Sequence, residues 1–206
     1  MTGYIFLAGD VTDYSIIGKC DVTICADGGY KHAENIGFVP NYIVGDMDSI
    51  GKLPTQPHII QYPTDKDYTD GQLAVKFAAE ELKCDEVIIF GALNKGSSSR
   101  FDHVLGNVYL LKLAQSLGMT AKILEPDCEV ILINKSAEIE RKNYKYISFL
   151  PLSPTVNGLT LTGVKYPLTN AKITQSDFIT MSNEFADDVA FVKVKKGELL
   201  AILCKA

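Results

Sequence analysis

The stretch Tyr42-Ile43-Val44-Gly45-Asp46-Met47-Asp48-Ser49 runs from three apolar residues straight into a glycine and two carboxylates two positions apart. Residues 42–44 show no alternation of polar and apolar side chains, so they read as a strand buried on both faces. The same kind of run recurs at residues 4–8, 22–26, 87–90 and 121–124. Helical patterns lie between the runs: residues 69–83 place Leu73, Phe77 and Leu82 near one face, and residues 102–117 do so with Leu105, Val108 and Leu111. Residues 30–36 form a shorter, weaker pattern. Buried strands alternating with helices predict a parallel sheet covered on both sides.

The strand ends share a chemistry. Ala8 is followed by Gly9-Asp10, Ala26 by Asp27-Gly28-Gly29, Val44 by Gly45-Asp46, and Phe90 by Gly91. In an open parallel sheet, ligands bind beyond the carboxyl ends of the strands, where glycine lets backbone come close and acids can hold a metal. From residue 126 the pattern changes to short strand-like runs without helices, at 129–133, 146–150, 159–162, 178–181, 189–194 and 199–204, with Lys195-Lys196-Gly197-Glu198 reading as a hairpin turn. The fold class is therefore α/β, with an N-terminal Rossmann-like parallel sheet flanked by helices over residues 1–125 and a C-terminal all-β sandwich over residues 126–206.

Composition narrows the function. Hydrophobic residues make up 47% and charged residues 22% of the 206, as in an ordinary soluble globular protein. A net charge of −5 argues against nucleic acid as a partner, because phosphate-backbone binding needs a basic face. Cys20, Cys25, Cys84, Cys128 and Cys204 include no C-x-x-C pair, which reads as reduced thiols in a cytosol. The start, MTGYIFLAGD, lacks the basic n-region and cleavage site of a secretion signal. No run approaches the ~20 apolar residues of a membrane span. A soluble, cytoplasmic protein is expected.

Three acidic segments carry the chemistry: Asp46-Met47-Asp48-Ser49, Asp65-Lys66-Asp67-Tyr68-Thr69-Asp70 and Arg100-Phe101-Asp102-His103. Clustered carboxylates repel one another unless something positive joins them, and a hard divalent cation such as Mg²⁺ is the usual answer. In extended backbone Asp46 and Asp48 point the same way and can share one cation; a solvated turn is the plainer reading. The same Asp-x-Asp begins phosphatases that use an aspartate nucleophile and occurs in metal-dependent glycosyltransferases. Asp65, Asp67, Thr69 and Asp70 open a helix, where one capping acid would suffice and phosphate oxygens are also favoured. In the third segment the Gly96-Ser97-Ser98-Ser99 loop can nest an anion, with Arg100 as a fork for phosphate and Asp102 as the N-cap of the next helix. Gly91-x4-Gly96 continues with Ser97 and not the lysine of a P-loop, and there is no G-x-G-x-x-G, so neither a Walker ATPase nor a dinucleotide-binding domain is indicated. His32, His58 and His103 show no metal-ligand spacing, and no G-x-S-x-G elbow is present.

Taken in order, Asp27-Gly28-Gly29, Gly45-Asp46-Met47-Asp48-Ser49-Ile50, Lys66-Asp67-Tyr68-Thr69-Asp70 and Arg100-Phe101-Asp102-His103, followed by Gly163-Val164-Lys165-Tyr166-Pro167-Leu168 and Ser182-Asn183-Glu184, resemble the thiamine pyrophosphokinase family. The likeness runs from about residue 20 to the C-terminus. It implies an α/β ATP-binding catalytic domain (1–125), a β-sandwich thiamine-binding and dimerisation domain (126–206) and a homodimer. It further implies transfer of the terminal pyrophosphoryl group of ATP to the thiamine hydroxyl, releasing AMP, with Mg²⁺. Carried over by position, Asp46, Asp48 and Asp70 are the metal and catalytic carboxylates and Arg100 the phosphate clamp. Asp27, Gly28, Gly29, Lys66, Asp67, Thr69, Arg100, Asp102 and His103 line the ATP site. Ser182, Asn183 and Glu184, with Asp70, serve thiamine, the three-residue segment facing the α/β half across a dimer interface. This chain departs from the family pattern in one place, having Ser98-Ser99 where Gly-Gly usually precedes Arg-x-Asp-His; serine at φ > 0 costs about 1–2 kcal/mol. Two rival readings stand beside this one: a phosphatase with Asp46 as nucleophile and Asp48 as acid/base, and a nucleotide- or thiamine-binding module without catalysis.

Overall fold

A computed structural model describes residues 1–52, 54–65, 67–93 and 100–206. It divides into two compact units, Met1–Pro126 and Asp127–Ala206.

Among the described residues the first unit has six strands, β1 (Thr2–Phe6), β2 (Val22–Ala26), β3 (Tyr42–Gly45), β4 (His58–Gln61), β5 (Glu86–Phe90) and β6 (Thr120–Glu125). All their pairings are parallel, in the order β6-β5-β1-β2-β3-β4. The α-helices described with them are α1 (Tyr30–Ile36), α2 (Asp70–Glu80), α3 (Phe101–Val108) and α4 (Leu110–Ser116). The continuous apolar runs follow from burial of both sheet faces. On one face Phe6 stacks on Phe90 with ring centres 5.2 Å apart, and Tyr4 meets Phe90 edge-on at 5.1 Å. The alternate residues Ile5, Ile24 and Ile89 are fully buried as well, and α2 packs over β1, β2 and β3.

Strands β1 to β4 advance in one direction, and the chain then returns to place β5 on the other side of β1. The order therefore reverses between β1 and β5, the kind of point where open α/β sheets form a binding crevice. Beyond the strand ends the two exits stay stitched together: Leu7 N–H donates to Phe90 O and Gly9 N–H to Gly91 O, each at 2.9 Å. Gly91 has no space for a side chain, since a methyl there would lie 2.5 Å from Leu7 O.

Some expectations change. β4 escapes a reading by apolar runs because only Ile59-Ile60 is apolar and the strand, at the sheet edge, is half-exposed. The single helix expected over 102–117 is two helices that part at Tyr109. Gly106 and Asn107, both poor helix formers, precede the break, and Tyr109 N–H turns to Gly106 O at 3.1 Å. α2 starts with a capping box: Thr69 Oγ1 accepts from Gln72 N–H (3.3 Å) while Gln72 Oε1 accepts from Thr69 N–H (2.9 Å).

The second unit is wholly antiparallel. β12 (Asn183–Glu184), β9 (Tyr146–Pro151), β14 (Leu199–Cys204) and β7 (Cys128–Ile133) lie side by side in that order. A second sheet runs β11 (Leu168–Thr174), β10 (Thr155–Thr162), β13 (Val189–Lys193), β8 (Ser136–Glu140). Ile147, Phe149, Leu199 and Ala201 from the first set share one core with Val156, Leu159, Leu161, Ile173 and Val192 from the second.

Two readings of this unit need correction. Residues 178–181 form a turn and not a strand, with Phe178 and Ile179 exposed. Asp177 accepts from both the N–H and the hydroxyl of Thr174 and closes the turn that diverts the chain. Lys195–Glu198 is not a hairpin, because β13 and β14 belong to different sheets; Lys196 instead bridges back to Asn157 of β10.

Candidate active site

A cavity of about 750 Å³ opens at the carboxyl end of the parallel sheet, at the β1/β5 reversal. Its wall comes from the exits of β1 (Leu7, Ala8, Gly9), β2 (Ala26, Asp27, Gly28) and β5 (Gly91, Ala92). Ser49, the first turn of α2 (Thr69 to Gln72), Arg100, one face of α3 (Asp102, His103, Val104, Gly106 and Asn107) and Tyr109 complete it.

Three carboxylates converge beside this cavity. Asp27, Asp46 and Asp48 each offer an oxygen, and these oxygens lie within 4.8 Å of one another. Backbone geometry gathers them: Asp27 opens a 3₁₀ turn at φ 40° after β2, and Asp46 and Asp48 flank Met47 at φ 67° after the neighbouring β3. Asp48 N–H donates to Asp46 Oδ1 at 3.3 Å, and Ser49 Oγ–H to Asp48 Oδ1 at 3.1 Å. Asp70 joins from the N-terminus of α2. A methyl on Gly45 would stand 2.8 Å from Asp27 Cβ and 3.1 Å from Asp70 Oδ1, so glycine is what lets the two acids close in.

Asp27 is only 5% exposed, and its Oδ1 is a buried oxygen with no hydrogen-bond partner among the described residues. A buried carboxylate oxygen facing two further acids is unfavourable unless a cation meets it. Oxygen-only ligands suit a hard divalent ion, so the residues fit the metal that the chemistry calls for. The amides of the first turn of α2, also on the cavity, favour phosphate oxygens.

Arg100 faces the cavity at the start of α3. Its Nε and Nη2 donate to the two oxygens of Asp102 at 3.1 and 2.6 Å, and this guanidinium holds the Asp102 carboxyl down to about 2. Asp102 is thus not the N-cap of α3. That position belongs to Arg100, with no side-chain cap, while Asp102 in the first turn serves as the arginine's partner.

Other expected positions separate. Gly28, Thr69 and His103 line the cavity. Gly29 does not; it is buried against β1, where a methyl would lie 2.0 Å from Phe6 O. Asp67 is exposed and outside the lining. Lys66 and the Ser98-Ser99 pair lie outside the described residues. In the second unit, Asn183 is buried and spent on backbone: Oδ1 accepts from Tyr166 N–H (3.0 Å) and Glu184 N–H (2.9 Å), and Nδ2 donates to Tyr166 O (2.9 Å). Glu184 is paired with Lys165 Nζ at 2.7 Å, which draws its carboxyl below the usual range. Ser182 is exposed at φ 52°. The sequence reading missed Asp27 as a member of the acid cluster, along with Gln72 and Asn107 on the cavity wall. The strand-end position of Asp27, next to β3, was the available signal.

Acids gathered beside a helix N-terminus and a tethered arginine, at a sheet reversal point, mark an α/β protein whose crevice is suited to a hard cation and to phosphate. A family model described as thiamin pyrophosphokinase, catalytic domain, matches residues 14–123, and one described as thiamin pyrophosphokinase, vitamin B1 binding domain, matches residues 131–199. Thiamine pyrophosphokinase of Bacillus subtilis is 31% identical over 204 residues, 95% of this chain and 92% of its own length. A crystal structure of the Bacillus subtilis thiamine pyrophosphokinase superposes with a TM-score of 0.88 at 29% identity, covering 100% of both chains. One of a thiamin pyrophosphokinase family protein from Enterococcus faecalis gives 0.87 at 26%, over 100% of this chain and 99% of the other. The chain belongs to the thiamin pyrophosphokinase family, and ATP-dependent pyrophosphoryl transfer to thiamine is its activity. Neither the phosphatase nor the non-catalytic reading is favoured by these matches.

Proposed function

We propose that the cavity of the first unit, a Rossmann-like nucleotide site, binds ATP with Mg²⁺ and carries out the transfer, and that the second unit supplies the thiamine-binding segment. The observation that carries this reading is the convergence of Asp27, Asp46 and Asp48, with Asp70 beside them, around a buried carboxylate oxygen that lacks a partner among the described residues. A divalent cation held there supplies charge neutralisation for the triphosphate.

Positioning and electrostatics do most of the work in phosphoryl transfer. Asp27, Asp46 and Asp48 are the metal-holding acids. Asp70 orients the thiamine hydroxyl and takes up its proton as the alcohol oxygen attacks the β-phosphorus, while the bond from that phosphorus to the oxygen bridging to the α-phosphate breaks and AMP leaves. Arg100, steadied by Asp102, neutralises a phosphate group, and His103, Gly28 and Thr69 border the same nucleotide. Lys66 and Asp67 belong to this set by position in the sequence. In the second unit Ser182 and Glu184 offer polar groups to thiamine, while Asn183 shapes the segment by holding the Tyr166 backbone. The protein is proposed to be a cytoplasmic homodimer; among the described residues no helix is long and apolar enough to cross a membrane, and sedimentation velocity reads the oligomeric state.

Incubation with ATP, MgCl₂ and thiamine tests the reaction, with AMP and thiamine diphosphate measured together. Equal amounts of the two products, with neither formed when thiamine or Mg²⁺ is withheld, are expected. Inorganic phosphate released without thiamine would contradict the reading.

A further inference from the structure

Past Phe90 the ladder between β5 and β6 has ended, yet the chain still holds the wall of the cavity. Ala92 is fully buried there. Both its backbone groups are gripped by side chains: Glu125 Oε1 accepts from Ala92 N–H at 2.8 Å and from Leu93 N–H at 3.2 Å, and Asn107 Nδ2 donates to Ala92 O at 2.9 Å. Glu125 is the last residue of β6 and 2% exposed, while Asn107 lies on α3, the helix that begins beside Arg100.

Two successive amides aimed at one oxygen form the concavity that binds anions in many phosphate sites. Here the protein's own carboxylate fills it. One buried carboxyl oxygen satisfies both amides at once, and either amide left without it would be costly. The grip therefore fixes the position of this backbone. Through Ala92 it ties three elements together: the end of β6, the exit of β5 at the reversal point, and α3 with Arg100, Asp102 and His103.

We propose that Glu125 is a positioning residue for the nucleotide. With Asn107 it sets the distance between the β5 wall of the cavity and the face of α3 that meets the phosphates. This rests on the reading of the cavity as the ATP site. Glu125 touches no reacting atom; it acts through Ala92 and Leu93.

Steady-state kinetics of Glu125→Ala, Glu125→Gln, Asn107→Ala and the Glu125→Ala/Asn107→Ala double variant test this, beside hydrogen exchange of the 91–93 amides. Glu125→Ala is expected to raise KM for ATP on the order of tenfold or more, because a misplacement of about 1 Å remote from the chemistry can cost about 10²-fold. KM for thiamine stays within about twofold, and the Ala92 and Leu93 amides exchange faster. Glu125→Gln, which keeps an acceptor oxygen, recovers most of the ATP affinity. The double variant loses less than the product of the single losses, since both grips act on one residue. An unchanged KM for ATP, an equal rise for both substrates, or multiplicative losses would overturn the proposal. If Glu125→Ala does not fold, Asn107→Ala, which releases Ala92 O, carries the same comparison of the two KM values. ATP binding by calorimetry and amide exchange both read the grip without turnover. A wild type that binds ATP but forms no AMP therefore counts against the catalytic reading and not against this one.

Discussion

Arg100 and Asp102 form a two-pronged pair on the cavity wall at the start of α3, Nε and Nη2 each bonded to one carboxylate oxygen. Both side chains are well exposed, so the pair adds little to stability. Its value is geometric, since it holds a long, mobile side chain in one place while leaving other guanidinium donors for phosphate. Arg100→Ala should lower kcat/KM for ATP by about 10- to 100-fold, the size expected for a hydrogen bond to a charged group. Asp102→Asn should lower it by less than about tenfold, with melting unchanged. A loss in Asp102→Asn as large as in Arg100→Ala would mean that Asp102 does more than orient its partner.

The acid cluster should trade stability for function. Asp27→Asn removes a buried charge from beside Asp46 and Asp48, and asparagine tolerates the positive φ of that position. In EDTA its melting temperature should exceed that of the wild type by a few degrees, consistent with ~1 kcal/mol. Its stabilisation by Mg²⁺ with ATP, and its turnover, should be largely lost. A destabilised variant that keeps its metal response would contradict the assignment.

Asp70 sits in the first turn of α2, where an acid contributes only about 0.3–1 kcal/mol to the helix. Asp70→Asn should therefore melt within a few degrees of the wild type. Its turnover at saturating ATP should fall by about 10²- to 10⁴-fold, the range expected on loss of a general base. Near-normal AMP formation would remove Asp70 from the proton-transfer role.

His32 gives a pH signature. It is buried, its Nε2–H donates to Leu7 O at 3.0 Å, and its Nδ1 accepts from Tyr14 O–H at 2.9 Å. Burial pulls its pKa below the ordinary histidine value. The unfolded chain therefore binds the proton more readily than the folded one, and stability present above about pH 6.5 is lost as pH falls below it. Urea midpoints should drop from pH 7 to pH 5.5, with a shallower drop in His32→Gln. An equal slope in both would show that other groups carry the effect.

Much of this was readable in the sequence where one physical signal dominated. Strands buried on both faces announced themselves as apolar runs, and the glycines and acids after them marked the carboxyl end of the sheet, where the cavity opens. Where signals mixed, reading stopped. His58–Gln61 has too little apolar length to declare itself as a strand. Phe178 and Ile179 look like strand residues but sit exposed on a turn closed by Asp177. Asp27, nineteen positions before Asp46, reaches the acid cluster only because β2 and β3 are parallel neighbours. Glu125 and Asn107 act on backbone through tertiary contacts that no local pattern records.

Titration of Mn²⁺ with ATP, followed by the electron paramagnetic resonance signal of the free ion, tests the central claim that the converging aspartates hold the metal. Wild-type protein should take up the ion, and Asp27→Asn, with unchanged circular dichroism, should bind it at least about tenfold more weakly. Equal affinity in the two proteins would contradict the account.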